Sequence, residues 1–212
     1  MKALGGRSVV VASSLMLILG LAPLAWAKGA KPPKCGKQKF PASGQTTAYT
    51  ADKNNGVGLD PVPDDGTVQA GATLRYQDNG DGTFTDLNTG LQWEMKDSFG
   101  GGSNFGNLHD ADNTYRWSGD GTQETIWDWL DDINAEGGTG FAGHSDWRIP
   151  NVRELQTIAI YGVCCVVRGG YWSSTTYAAN SSLAWFVSFG GFVDVDSKSG
   201  STSVTAVRGG CL

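Results

Sequence analysis

"DNGDGTFTDLNTGLQW", residues 78–93, sets Asp78, Asn79, Asp81, Asp86 and Asn88 among three glycines and a few apolar side chains. Such a stretch is either an ion-binding loop or the tight end of a β-hairpin. An EF-hand calcium loop needs side-chain oxygens at its first, third, fifth and twelfth positions and glycine at the sixth. Counted from Asp78, the third and fifth positions are Gly80 and Gly82, and the twelfth is Thr89. The EF-hand pattern fails, and Asp78, Asp81 and Asp86 remain only as weak metal candidates. Asn79-Gly80 and Asp81-Gly82 instead offer the positive φ values that tight hairpin turns demand. The stretch therefore predicts a strand over 74–77, a turn at 78–82 and a partner strand over 83–87. A turn closed by Gly90 and a third strand through Trp93 complete it.

Two amphipathic segments follow. In "TQETIWDWLDDINAEGG" (122–138), Ile126, Trp127, Leu130 and Ile133 are expected on one helical face, with Thr122 as cap and Gly137 as stop. In "PNVRELQTIAIYG" (150–162), Asn151 and Glu154 have the spacing of a capping box, and Val152, Leu155 and Ile158 form the buried stripe. "LAWFVSF" and "FVDVDS" then flank Gly190-Gly191, a hairpin signal, and "KSGS" turns the chain into "TSVTAVRGG". Val193 and Val195 alternate with Asp194 and Asp196, which predicts one apolar face and one wet face. The fold class is α+β: two helices packed on an antiparallel sheet, with long loops and a C-terminal β-meander.

The N-terminus carries a different message. Lys2 and Arg7 precede an apolar run that ends in "AWA", the pattern of a signal peptide over residues 1–27 cut after Ala27. Pro23 and the small residues Ala25 and Ala27 favour cleavage over a retained anchor. No other segment approaches the roughly 20 apolar residues of a spanning helix, so no membrane span is expected after cleavage. The destination is the periplasm, the cell surface or the extracellular space. Loss of Lys2 and Arg7 leaves 14 basic against 21 acidic residues, a net charge of −7. That balance makes a poor general binder of nucleic acid or other polyanions.

Residues 28–73, opening with "KGAKPPKCGKQKFPASG", read as a lead-in arm, either a spacer or a segment folded over the domain and pinned by Cys35. Residues 74–212 form the domain proper. Four cysteines, Cys35, Cys164, Cys165 and Cys211, in an exported chain suggest two disulfides. Chain neighbours bridge each other only with strain. One of Cys164 and Cys165 is therefore expected to pair with Cys211 and the other with Cys35. Closing a loop of about 47 residues contributes roughly 4 kcal/mol in the chain-entropy picture.

The hairpin stretch, then "DWRIPNVRELQTI", "YWSSTTYA", "AWFVSF" and a terminal "VRGG" occur in one order. Together they resemble the C-terminal domain family of the collagen-like surface adhesin Lcl, over about residues 74 to 210. Trp93, Trp147, Arg148, Pro150, Glu154 and Arg208 are the positions that carry the motif in this chain. The resemblance implies a C-type-lectin-like fold and a non-catalytic role in recognition or adhesion at a surface. Two features depart from the adhesin. The chain has no Gly-X-Y tract, so the collagen stalk is absent, and a charge of −7 suits sulfated glycans poorly.

The sequence holds little catalytic chemistry. "GHSDW" puts His144, Ser145 and Asp146 side by side, but adjacent side chains diverge, and a hydrolytic triad is assembled from distant positions. No G-x-S-x-G elbow accompanies it, so it reads as a turn before Trp147. His109 and His144 are the only histidines, and with no C-x-x-C or H-E-x-x-H spacing, neither a metal nor a cofactor is expected. Formylglycine-generating enzymes share the lectin-like fold and use cysteines, so that activity stands as the alternative at Cys164 and Cys165. A purely structural part in a cell-surface assembly is the third reading.

Trp147 and Trp172 read as core slabs. In the competing reading, Trp172, Tyr177 and Trp185 line a concave surface where aromatic faces stack on sugar rings or peptide side chains. The long loop "DSFGGGSNFGNLHDADNTYRWSGDG" (97–121) adds Phe99, Phe105, Tyr115 and Trp117. The candidate ligand-binding set is thus Trp117, Tyr115, Trp172, Tyr177 and Trp185. The expected partner is a glycan or a surface protein, neutral or basic in charge.

Overall fold

The computed structural model describes residues 42–51, 60–97, 100–159, 169–188 and 192–210. The proposed signal segment, all four cysteines, Phe99 and the Gly190-Gly191 turn lie outside the described residues. The chain order is β1 (Thr50–Ala51), β2 (Asp60–Pro61), α1 (Asp65–Val68), β3 (Tyr76–Asp78), β4 (Thr83–Asp86), β5 (Leu91–Glu94) and β6 (Tyr115–Arg116). Then come α2 (Ile126–Ala135), two short 3-10 turns (Glu136–Gly138 and Phe141–Gly143) and α3 (Val152–Ala159). The strands β7 (Gly170–Thr176), β8 (Leu183–Ser188), β9 (Val193–Ser197), β10 (Ser201–Thr202) and β11 (Val207–Gly209) close the chain. The architecture is mixed, with antiparallel strand pairing and few helices.

The opening stretch forms the predicted hairpin. β3 pairs with β4 so that Tyr76 lies opposite Asp86 and Asp78 opposite Phe84. The turn between them uses left-handed glycines, Gly80 at φ 76° and Gly82 at φ 84°. Each aspartate serves its own bend: Asp78 accepts from the Gly80 amide, Asp81 from Thr83, and Asp86 from the Asn88 amide and the Thr89 hydroxyl. Among the described residues, no group of three potential ligands could hold a metal ion. β11, from the far end of the chain, pairs with β5 and completes a sheet in the order β11-β5-β4-β3.

The meander β7-β8-β9 is antiparallel throughout, and its residues alternate between two cores. Trp172 and Ala184 join Ile126, Trp129 and Ile133 of α2 in one cluster. Tyr171 and Val187 join Leu155, Ile158 and Ala159 of α3, together with Phe84, Trp93 and Val207, in the other. Period-two alternation in the strands thus buries one helix on each side.

Helix α2 corrects the sequence reading in two ways. Its cap is Thr125, not Thr122: Thr125 accepts from the Trp127 and Asp128 amides, while the Asp128 carboxylate accepts from the Thr125 amide in a capping box. Thr122 instead bonds to Asp120 within the preceding turn. The buried face is Ile126, Trp129 and Ile133, spaced by three and four, and Trp127 turns outward, 37% exposed. Helix α3 starts at a capping box. Asn151 accepts from the amides of Arg153 and Glu154, and the Asn151 amide donates to Glu154.

β9 also departs from expectation. Val193 is exposed and Val195 half-buried, because β9 is the sheet edge and neither of its faces is fully covered. The amides of Ser188 and Lys198 donate to the carbonyls of Phe192 and Ser182 in the β8-β9 register, which turns the backbone of residues 193, 195 and 197 outward. Asp194 and Asp196 then cap the outward amides of Val195 and Ser197 with their own carboxylates. That is a charged, self-satisfied edge.

Candidate functional site

The aromatic candidates divide sharply by burial. Tyr115 sits on β6, which pairs with β10 so that Tyr115 lies opposite Thr202 and Arg116 opposite Ser201. Tyr115 is buried at 2% exposure and forms the floor of a hollow. The exposed ring of Phe105 meets it edge-on, with centroids 5.7 Å apart. Trp172 supports this floor from the core, its Nε1–H donating to the Tyr115 carbonyl at 3.0 Å. Since Trp172 is wholly buried, it offers no face to a ligand, which is the core-slab reading.

The hollow encloses about 310 Å³ and is lined by Phe105, Thr114, Tyr115, Arg116, Gln123, Glu124 and Ser201. Burial first, and the Glu124 carboxylate second, push the Tyr115 hydroxyl up to about 12, so it remains protonated at neutral pH. Among the described residues, neither Arg116 nor Glu124 forms an ion pair. A pocket of this kind brings two aromatic residues, two opposite charges, an amide and the hydroxyls of Thr114 and Ser201 to whatever enters it.

The other aromatic candidates lie elsewhere. Trp117 is half-buried and engaged on several sides. Its Nε1–H donates to the Ser173 carbonyl, Lys198 Nζ lies 3.7 Å from its ring centre, and Trp127 meets it edge-on at 5.1 Å. Lys198 also donates to the Thr176 hydroxyl, so this cluster ties the β9-β10 turn to the meander. Tyr177 and Trp185 pack on each other edge-on at 5.5 Å, and neither lines the hollow.

The motif residues act in the scaffold. Trp93 and Trp147 are buried, and the Trp147 indole donates to the Phe141 carbonyl. Arg148 forks onto Glu154 at 2.7 and 2.6 Å, joining the strand-like approach to the cap of α3. The Pro150 carbonyl accepts from the Ser174 amide. Arg208 on β11 bonds to Asp146 at 2.7 Å and to Gln92 at 2.6 Å. Asp146 is thereby committed to Arg208, which removes it from any triad with His144 and Ser145.

One polar cluster escaped sequence reasoning. Glu94 at the end of β5 is fully buried, and its Oε1 lies 2.8 Å from both Lys96 Nζ and His109 Nδ1. Its Oε2 accepts from the Ala206 amide. His109 Nε2 lies 3.2 Å from Glu136, and its ring packs on Phe141 at 4.2 Å. Burial opposes charge on Glu94, yet Lys96 and His109 outweigh it and hold the carboxyl below its ordinary range. Burial likewise opposes charge on His109, but Glu94 and Glu136 raise it above its ordinary value. The Leu108 carbonyl accepts from both Lys96 and the Trp129 indole, so the cluster anchors the loop that carries Phe105. In the structure Trp93 and Glu94 are buried at consecutive positions, a break in alternation that the sequence does not reveal.

Further along the same loop, Asp112 receives the amides of Gly100, Gly101 and Gly102, each at 2.9 Å. The glycine run is thus folded back on its own chain, a nest filled from within.

Among the described residues, no helix is long and apolar enough to cross a membrane. Comparison with curated proteins gives no match to the chain. The Lcl C-terminal domain family, which is not a known enzyme family, matches residues 82–208, from the Gly82 turn to Arg208. The match runs from β4 into β11 and takes in both cores, the hollow at β6 and every motif residue from Trp93 to Arg208, so the chain belongs to the Lcl C-terminal domain family.

Proposed function

We propose that this protein is an exported, surface-associated recognition domain of C-type-lectin-like type, without catalytic activity, that binds a glycan or a protein through the hollow at β6. The observation that carries this reading is the hollow itself: an exposed Phe105 ring beside a buried Tyr115, with Arg116, Gln123 and Glu124 in its lining. Aromatic faces with converging polar groups suit sugar rings and peptide side chains alike. Binding residues concentrate on loops that a rigid scaffold holds in place. Here the loop is held by Leu108 and His109. Export with cleavage after Ala27, and two disulfides among Cys35, Cys164, Cys165 and Cys211, belong to the same proposal. Intact mass and non-reducing peptide mapping of protein from its native host test both.

The functional test is a glycan and surface-protein binding screen of the purified protein, with Phe105→Ala as the pocket variant and Leu87→Ala as a remote control. Both residues are exposed, so neither change disturbs the cores. The expected outcome is binding lost with Phe105→Ala and kept with Leu87→Ala. Equal binding by both variants would move recognition off the hollow. Turnover abolished by Cys164→Ser would replace the non-catalytic reading with an enzyme.

A further inference from the structure

Arg116 and Glu124 line one hollow with opposite charges, and among the described residues neither forms an ion pair with the other or with a third group. Opposite charges that share a pocket without pairing leave both fields directed at the occupant. A purely anionic ligand is drawn by Arg116 and repelled by Glu124, and a purely cationic one meets the reverse. A ligand with one charge of each sign satisfies both.

The remaining walls refine the chemistry. Phe105 is 56% exposed and stands edge-on to Tyr115, which offers ring faces against which an ammonium or the apolar face of a sugar packs. Glu124 and the Tyr115 floor line the same hollow, so a ligand resting on the floor lies within reach of the carboxylate. No salt bridge ties Arg116 to a carboxylate among the described residues, which leaves its guanidinium available for a bidentate carboxylate contact. Thr114 and Ser201 supply hydroxyls and Gln123 an amide. The volume of about 310 Å³ suits one small ring-sized group and not a polymer segment.

We infer that the hollow selects a zwitterionic, hexose-sized group, with its carboxylate on Arg116, its ammonium on Glu124 and its ring against Phe105. This deepens the recognition reading above and rests on it.

Four hexoses that differ in charge test the inference: muramic acid (zwitterionic), glucosamine (cationic), glucuronic acid (anionic) and glucose (neutral). Each is titrated into the purified protein at pH 7 by calorimetry. Muramic acid is expected to bind at least roughly tenfold tighter than the other three, the scale of one added charge-assisted contact. Arg116→Gln should bring muramic acid down to the level of glucosamine, and Glu124→Gln should bring it down to the level of glucuronic acid. Phe105→Ala should weaken all four. Glucose binding as tightly as muramic acid would overturn the inference in favour of neutral hydroxyl recognition. Absence of muramic acid binding would also overturn it. If a larger glycan or protein still depended on Phe105, the recognition reading would stand without the zwitterion preference.

Discussion

Replacing Glu94 by glutamine should damage the fold more than any surface change. The Glu94 carboxylate is fully buried, and its two oxygens serve Lys96, His109 and the Ala206 amide. Glutamine keeps the shape but removes the charge, and one of its two terminal groups becomes a donor facing other donors. Lys96, only 6% exposed, is then a buried cation without its counter-ion. Breaking a buried pair from one side costs about 3–5 kcal/mol. For a domain of this size each kcal/mol moves the melting temperature by about 2–4 °C, so a fall of roughly 6–20 °C is expected. The double variant Glu94→Gln with Lys96→Met should recover a large part of that loss, because it removes the stranded cation. Urea unfolding of the parent, both single variants and the double variant closes the cycle. A loss below about 1 kcal/mol for Glu94→Gln, or no recovery in the double variant, would refute the reasoning.

The same cluster sets a pH dependence. The folded pKa of His109 is raised above its ordinary 6.5, so its contribution is full below that value and is lost as pH rises through the raised one. Glu94 is held below its ordinary 4.5, so its contribution is present above that value and fades as pH falls through the lowered one. Stability from this cluster is therefore greatest between the two, and His109→Gln should flatten the alkaline side of the profile.

Three further outcomes follow from local geometry. Gly140 has φ 87°, and a Cβ there would lie 2.0 Å from the His144 carbonyl oxygen, so Gly140→Ala should cost more than 1 kcal/mol in urea unfolding, well beyond a surface substitution. The paired change Asp194→Val with Asp196→Val uncovers the outward amides of β9 and should produce concentration-dependent self-association in sedimentation velocity, where the parent stays unassociated through this edge. Calcium should leave the melting temperature unchanged, since Asp78, Asp81 and Asp86 each serve their own turn; a rise abolished by Asp81→Ala would establish an ion site.

What the sequence disclosed was what depends on local pattern. The glycine pairs at 79–82 require a hairpin turn whatever lies around them, and Asn151 with Glu154 suffices for a cap. The helix 126–135 was legible as a helix, with Ile126, Leu130 and Ile133 on its core-facing side, but Trp127 was taken in place of Trp129, because both are equally apolar and only the packed core separates them. The β9 faces were misjudged because alternation does not reveal that a strand lies at an edge. The cluster of Glu94, Lys96, His109 and Glu136 was not legible at all. It joins positions up to 42 residues apart through tertiary contacts with no spacing signature. The hollow was half visible: the loop and its aromatic residues stood out, but Arg116, Gln123 and Glu124 drew no notice, and Trp172 had two readings that only burial could separate.

The most direct test of a recognition surface at β6 is hydrogen–deuterium exchange of the purified protein, alone and saturated with the strongest binder from the screen. Protection is expected to concentrate in residues 104–117, 122–125 and 200–202, with the hairpin at 76–94 unchanged. Protection centred on the hairpin or on the exposed edge at β9, with residues 104–117 unaffected, would contradict it.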